Sequence, residues 1–366
     1  MPTEAEYQIA LTLTPQIGCV AAKTLVQHFG NATDIYKAKK STLATIEGIG
    51  TVRADSIKSF SDFERCEAEL KYVQQHDIRT LFLQDPGYPR RLLNCYDSPT
   101  LLYYKGDADL NASKIAAVIG TRKNSEYGKQ CVVEMMEALA AYDVLILSGL
   151  AFGIDTLAHR EALKNKLPTV GVLAHGMHTI YPPENKKLSQ QMLAEHGGLL
   201  TEFMSGEQPD KHNFPTRNRN VAGMADVTIV IETDIKGGSM ITAELANNYN
   251  RDVLAFPGRT SDAKSRGCNH LIKTNKAALV GCGQDVLEFM NWLPATTKPK
   301  VQRSLFVDLN DGEQVIFDLL NAVEQMHIDE LNLSSQLSSS AVASALLTLE
   351  LQGVVQSLPG KLYKLA

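Results

Sequence analysis

The 366-residue chain reads as an α/β protein built on a doubly wound, mostly parallel sheet, with a helical region before it and a small helix-and-hairpin module after it. Three observations lead there. Short β-rich runs alternate with amphipathic helical stretches from about residue 78 to 290. Three of those runs end in glycine-bearing loops that open a helix. The length exceeds what one ordinary core organises, so two or three domains are expected.

Within residues 1–76, Leu13-Thr-Pro-Gln-Ile-Gly18 and Ile46-Glu-Gly-Ile-Gly50 each precede an apolar run of helical spacing. A glycine turn lets helices approach closely, and free N–H groups at a helix start suit a phosphate. The pair is similar to helix-hairpin-helix modules. Few lysines or arginines flank either turn, which favours close packing over DNA contact.

Residues 77–292 hold the alternating region. Strands are expected at Ile78–Leu83, Ile115–Ile119, Val144–Leu147, Thr169–Leu173, Val227–Ile231 and Val253–Phe256, with helices at Glu126–Ala141, Ile154–Lys166 and Ser239–Asn250. Ligands of such sheets sit beyond the carboxyl ends of the strands, where strand order reverses. Residues 293–307, with two prolines, read as a linker. Residues 308–366 read as three helices and a hairpin around Pro359-Gly360, the outline of a winged helix. Its third helix, Ser339–Leu351, is mostly Ala, Leu and Ser, whereas a groove-reading helix needs basic or amide side chains; a protein contact is favoured.

Composition is that of a soluble globular protein: 44% apolar, 21% charged, mean hydropathy -0.13. The net charge of -5 carries no overall signal for a polyanion partner. From Asp308 onward, however, eight acidic residues face only Lys361 and Lys364, so the larger body is close to neutral and free to carry a basic groove. Six scattered cysteines without a CxxC pair read as reduced thiols. With no signal peptide and no membrane-length apolar run, a cytoplasmic protein without membrane contact is expected.

Four segments are candidates for chemistry. In Val118-Ile-Gly-Thr-Arg122, Gly120 permits a tight turn that brings Thr121 and Arg122 to an anion. In the segment Ser148–Asp155, Ser148, Gly149 and Gly153 leave room over a helix start. Lys236–Ala243 repeats the device with Gly237, Gly238 and Ser239, and the three loops together are expected to line one rim with N–H donors. The fourth, Lys211–Arg219, reads as a basic loop. Lys211, Arg217 and Arg219 are cations for phosphates, Asn218 is a hydrogen-bonding amide, and Phe214 is a ring for an unpaired base. The spacing is not GxGxxG and lacks a ribose-binding acid, which disfavours a dinucleotide. Ser148, Asp155 and His159 lack a GxSxG context, and His175 with His178 lacks a third metal ligand. No catalytic set, metal or cofactor is expected.

Together these residues resemble the DNA-processing protein A family (DprA, also called Smf). The resemblance runs through Tyr88-Pro89, VIGTR, SGLAFGID, Tyr181-Pro182, FPTRNR, GGSMITAELA, Phe256-Pro-Gly258 and Gly267–Ile272. It implies an extended Rossmann-like domain that binds single-stranded DNA, forms a homodimer and loads the RecA recombinase during natural transformation. Arg122, Lys211, Phe214 and the Arg217–Arg219 segment match the family's DNA-pocket positions. Two departures stand out: Gly237 where a Ser is usual, and Lys276-Ala277 where Gly-Ala is common. An alternative of another class is a nucleoside-monophosphate phosphoribohydrolase. Gly237, Gly238 and Glu244 fit its GGxGTxxE spacing, but Met240 and Ile241 hold the Gly and Thr positions. A third reading is an assembly module whose glycines serve packing alone.

Overall fold

A computed structural model describes residues 2–293 and 309–366, and these form two compact units, one ending at Gly283 and one running from Gln284 to Ala366. The linker expected at 293–307 lies, beyond residue 293, outside the described residues.

The first unit opens with six helices, α1 (Glu4–Leu13), α2 (Cys19–Phe29), α3 (Ala32–Lys37), α4 (Lys40–Ala44), α5 (Gly50–Ser59) and α6 (Phe63–Gln75). The sheet region follows as β1 (Arg79–Phe82), α7 (Arg90–Leu93), β2 (Leu101–Gly106), β3 (Ile115–Ile119), α8 (Glu126–Leu139), β4 (Leu145–Ser148), α9 (Ile154–Lys164) and β5 (Thr169–Val172). It continues through α10 (Lys186–Ala194), β6 (Gly198–Thr201), α11 (Asn213–Met224), β7 (Val227–Val230), α12 (Gly238–Asn248), β8 (Asp252–Ala255), α13 (Arg266–Lys273) and β9 (Ala278–Leu279). Helix α14 (Gly283–Phe289) spans the division.

The sheet has nine strands in the order β1-β2-β6-β5-β4-β3-β7-β8-β9. Strands β6 to β9 pair in parallel; β2 pairs antiparallel with both β1 and β6. Every residue of β3, β4, β5 and β7 is buried, as central strands with both faces covered require. All six expected strands are present, and β2, β6 and β9 are additional. From β3 the chain winds outward through β4, β5 and β6, then returns beside β3 with β7 and winds the other way. The crevice between the carboxyl ends of β3 and β7 is therefore the reversal point.

The helical region packs on this sheet within the same unit. Lys23 Nζ donates to the carbonyls of Leu93 and Cys95 (2.9 Å for the latter) and to Ser98 Oγ at 3.1 Å. The Glu69 carboxylate accepts from Ser205 N at 2.9 Å and from its hydroxyl. Arg53 donates to Gln16 O at 3.0 Å and to Gly48 O, tying the two glycine turns together. The lysine that follows the first turn is thus occupied by two backbone carbonyls and a serine hydroxyl.

In the second unit, α15 (Asp311–Asn321), β10 (Met326–His327), α16 (Ile328–Ser334), α17 (Ser339–Leu351), β11 (Val355–Leu358) and β12 (Leu362–Leu365) form a winged helix with sheet order β10-β12-β11. An Asn310–Glu313 capping box starts α15, and Ile316, Leu320, Leu331, Leu346 and Leu349 fill the core.

Candidate functional site

The reversal point opens into a crevice of about 490 Å³, a volume suited to a small-molecule or nucleotide-sized ligand. Three strand ends and α11 build it. After β3 come Gly120, Thr121 and Arg122; after β4, Gly149 and Ala151; after β7, Thr233, Asp234 and Gly237 to Ser239. Lys211, Phe214, Arg217 and Asn218 form the opposite wall.

These loops are interlocked. Thr121 N–H donates to Glu232 O at 2.7 Å, and Thr121 O accepts from Ile154 N–H at 3.1 Å, capping α9. Gly153 sits at φ +75°, where a side chain would run into Thr121 O and the Arg122 backbone. Buried Glu232 accepts from Ser125 N at 2.8 Å and from its hydroxyl, anchoring the start of α8 beneath the Arg122 turn.

The structure corrects the expected rim of N–H donors. Asp155, buried at the start of α9, accepts from Gly149 N at 3.1 Å and Ala151 N at 3.4 Å, so the loop after β4 keeps those donors for itself. Ser148 is fully buried, donates to Val118 O at 2.7 Å and does not line the crevice; neither does Gly153. The role of Gly149 is clearance, because a Cβ there would strike the Arg217 guanidinium. The start of α12 stays open: among the described residues the N–H groups of Gly238 and Ser239 meet no acceptor, and nothing lies within 4 Å of a Cβ built on Gly238. A Cβ on Gly237 would collide with Thr233 Oγ1, so this chain's glycine there matches the Thr233 that follows β7.

The FPTRNR segment is helix, not loop: it forms the first turns of α11. On a helix, residues two apart point about 200° apart, and the two arginines separate accordingly. Arg217 turns into the crevice floor, buried, with one guanidinium nitrogen donating to the carbonyls of Gly149 and Val172 and Nε donating to Asn218 Oδ1 at 3.1 Å. All are neutral acceptors, and burial, with Arg122 nearby, lowers its pKa to about 10 against the opposing pull of Asp155. Arg219 does not line the crevice. It pairs with the Glu202 carboxylate and donates to Asp97 O on the far side of α11, while Asn220 Nδ2 donates to Glu202 Oε1 at 2.7 Å. Burial works against its charge, yet Glu202, with Cys19 and Asp97, holds the guanidinium above its ordinary value. Lys211 and Arg122 are exposed, and Arg122 lies over the Phe214 ring at 5.3 Å.

Other candidate sets are bound elsewhere. His159 Nδ1 lies 2.7 Å from Thr169 Oγ1, whose hydroxyl donates to Ile146 O, so the imidazole donates there and its buried Nε2 has no partner. His159 thus shares no hydrogen bond with Ser148 or Asp155. His175 Nε2 accepts from Tyr181 N, and His178 Nδ1 accepts from Gly206 N; no cluster of three metal-ligating side chains occurs among the described residues. Glu244, the acid of the hydrolase-like spacing, pairs with Lys276 at 2.6 Å and lies outside the crevice lining.

Burial lowers the His159 pKa to about 3, with Arg217 adding to it. Between about pH 6.5 and 3 the unfolded chain gains a proton there that the folded chain refuses, so stability falls with falling pH. The slope from this group is about 1.4 kcal/mol per pH unit. His159→Gln is expected to flatten the difference in urea midpoint across that window, measured from pH 7 down to pH 4.

A doubly wound sheet with a cation-lined crevice at its reversal point, preceded by paired glycine-turn helices and followed by a winged helix, defines an extended Rossmann-like protein suited to a phosphate-bearing ligand. The chain belongs to the DNA recombination-mediator protein A family, whose model matches residues 79–291. A helix-hairpin-helix motif model matches residues 9–68, and the DprA winged helix domain matches 304–361. Protein Smf of Synechocystis sp. is 30% identical over 99% of both chains. DNA processing protein DprA of Streptococcus pneumoniae is 44% identical over 56% of this chain and 71% of its own. The X-ray structure of the pneumococcal protein superposes with a TM-score of 0.67 at 34% identity, covering 77% of this chain and 96% of that one. DNA processing protein A from Helicobacter pylori, solved for its single-stranded DNA binding mode, gives 0.52 at 32% identity over 57% and 94%. No described helix is long and apolar enough to cross a membrane.

Proposed function

We propose that the chain captures single-stranded DNA at the β3/β7 crevice by its phosphates and breaks no bond. The observation that carries this is Arg217: a buried guanidinium bonded only to neutral acceptors, at the floor of an open crevice. A desolvated cation whose hydrogen-bond acceptors are all neutral, supported only through space by Asp155, gains from a bound anion. The free Gly238 and Ser239 N–H groups, Arg122 and Lys211 complete a path for successive phosphates. When a strand enters, Arg122 exchanges its Phe214 contact for a phosphate and leaves that ring to a base. The single-strand binding named for the Helicobacter pylori relative supports the same assignment. Hand-over of the strand to RecA during natural transformation, action as a homodimer and a cytoplasmic location complete the proposal and rest on the family resemblance.

The test is binding to single-stranded and duplex DNA across a salt series. Affinity for the single strand is expected to exceed that for duplex and to fall with log salt by about 0.7 per neutralised phosphate. Arg122→Ala and Lys211→Ala should each reduce that slope by roughly one such unit, for any base sequence. Unchanged affinity and slope in the double variant would overturn the assignment. Released base on incubation with nucleoside monophosphates would favour the hydrolase instead.

A further inference from the structure

Beside the crevice lies a smaller hollow walled by Phe152, Tyr181 and Pro182, which shares Arg122, Phe214 and Arg217 with it. Phe214 is the ring expected to stack a base, but it is half-buried and the Arg122 guanidinium lies over it. The open aromatic surface belongs to the hollow: Phe152 is 41% exposed and Tyr181 42%. They come from different strand ends, Phe152 from the loop after β4 and Tyr181 from the loop after β5. The Tyr181 backbone is fixed by its N–H, which donates to His175 Nε2 at 3.2 Å. Its ring centroid lies 6.0 Å from that of Phe214, tilted by 48°. Two rings need about 7 Å to sandwich a base at van der Waals contact, so these are adjoining plates and not a clamp.

We propose that Phe152 and Tyr181 form a second stacking station, which receives the unpaired nucleobase next to the one at Phe214. The inference rests on the single-strand reading of the crevice. The occupant follows from continuity: a strand whose phosphates lie on Arg122 and Arg217 has its next base at the hollow, because those cations form the shared wall. Bases within a duplex have no free face to offer such plates, so the station also selects for single strands.

The experiment titrates the full chain with labelled oligothymidylate over a salt series, and in parallel with an oligonucleotide carrying one 2-aminopurine. Tyr181→Ala is expected to weaken binding about tenfold at every salt concentration with the salt slope unchanged, since a lost ring removes no phosphate contact. Tyr181→Phe should bind like the wild type. Phe152→Ala, on a separate loop, should weaken binding independently, and both alanine variants should relieve quenching of the stacked 2-aminopurine. Urea unfolding confirms that each variant is folded. If wild type binds oligothymidylate and both alanine variants bind equally well, the station is wrong while the crevice reading stands. A reduced salt slope in Tyr181→Ala would make the ring a support for the phosphate loops and overturn stacking. Failure of the wild type to bind at all would overturn both.

Discussion

Arg219→Ala is expected to destabilise the first unit by about 3–5 kcal/mol while leaving the DNA affinity of the folded protein unchanged. The guanidinium and its Glu202 partner are both nearly buried, with side-chain exposures of 10% and 12%. Removing the cation strands a carboxylate that burial already disfavours, with Asn220 as its remaining side-chain donor. It also releases Asp97 O and so loosens α11 from the segment that carries Lys23's partners Cys95 and Ser98. Urea unfolding measures the loss. Arg219→Met combined with Glu202→Leu should recover much of it, because neither charge is then left alone in the interior. A stably folded Arg219→Ala protein with weakened single-strand binding would show that this side chain reaches the ligand after all.

That outcome bears on what a sequence can reveal. The alternation of short buried runs with helices was sufficient for the sheet class, because central parallel strands such as β3 and β7 are uninterrupted apolar runs. Two of the three additional strands carry weaker signals: β6 is four residues opening on glycine, and β9 is two residues long. In FPTRNR the proline and polar residues mimic a loop. Yet Pro215 is the third residue of α11, where an N–H has no intrahelical partner, so the helix tolerates it. Once the segment is helical, the divergence of Arg217 and Arg219 follows from geometry. What no local pattern discloses is competition for the same groups. Asp155 consumes the N–H donors after β4, and Lys23 is held by carbonyls about seventy residues away. Both depend on tertiary neighbours, and both change which residues remain for a ligand.

Arg217→Met is expected to invert the pattern of Arg219→Ala, with single-strand affinity falling roughly 10- to 150-fold and stability changing much less. The fold-change corresponds to about 1.5–3 kcal/mol for a hydrogen bond to a charged group. Methionine keeps most of the apolar volume on the crevice floor and leaves no carboxylate that had been bonded to the guanidinium. Buried Asp155 loses the pull of the guanidinium but keeps its Gly149 and Ala151 N–H donors, so the cost stays below that of a broken, hydrogen-bonded ion pair. Here the Gly149 and Val172 carbonyls lose a donor, which sets the modest cost. The salt slope should drop by about 0.7, as for one lost phosphate contact, and Arg217→Lys should restore part of the slope without the forked geometry. Equilibrium binding and urea unfolding on the same preparations distinguish the two arginines. If Arg217→Met lost stability as severely as Arg219→Ala and kept its salt slope, the buried guanidinium would be a structural tie between the loops after β4 and β5, and the phosphate path would have to run through Arg122, Lys211 and the start of α12 alone.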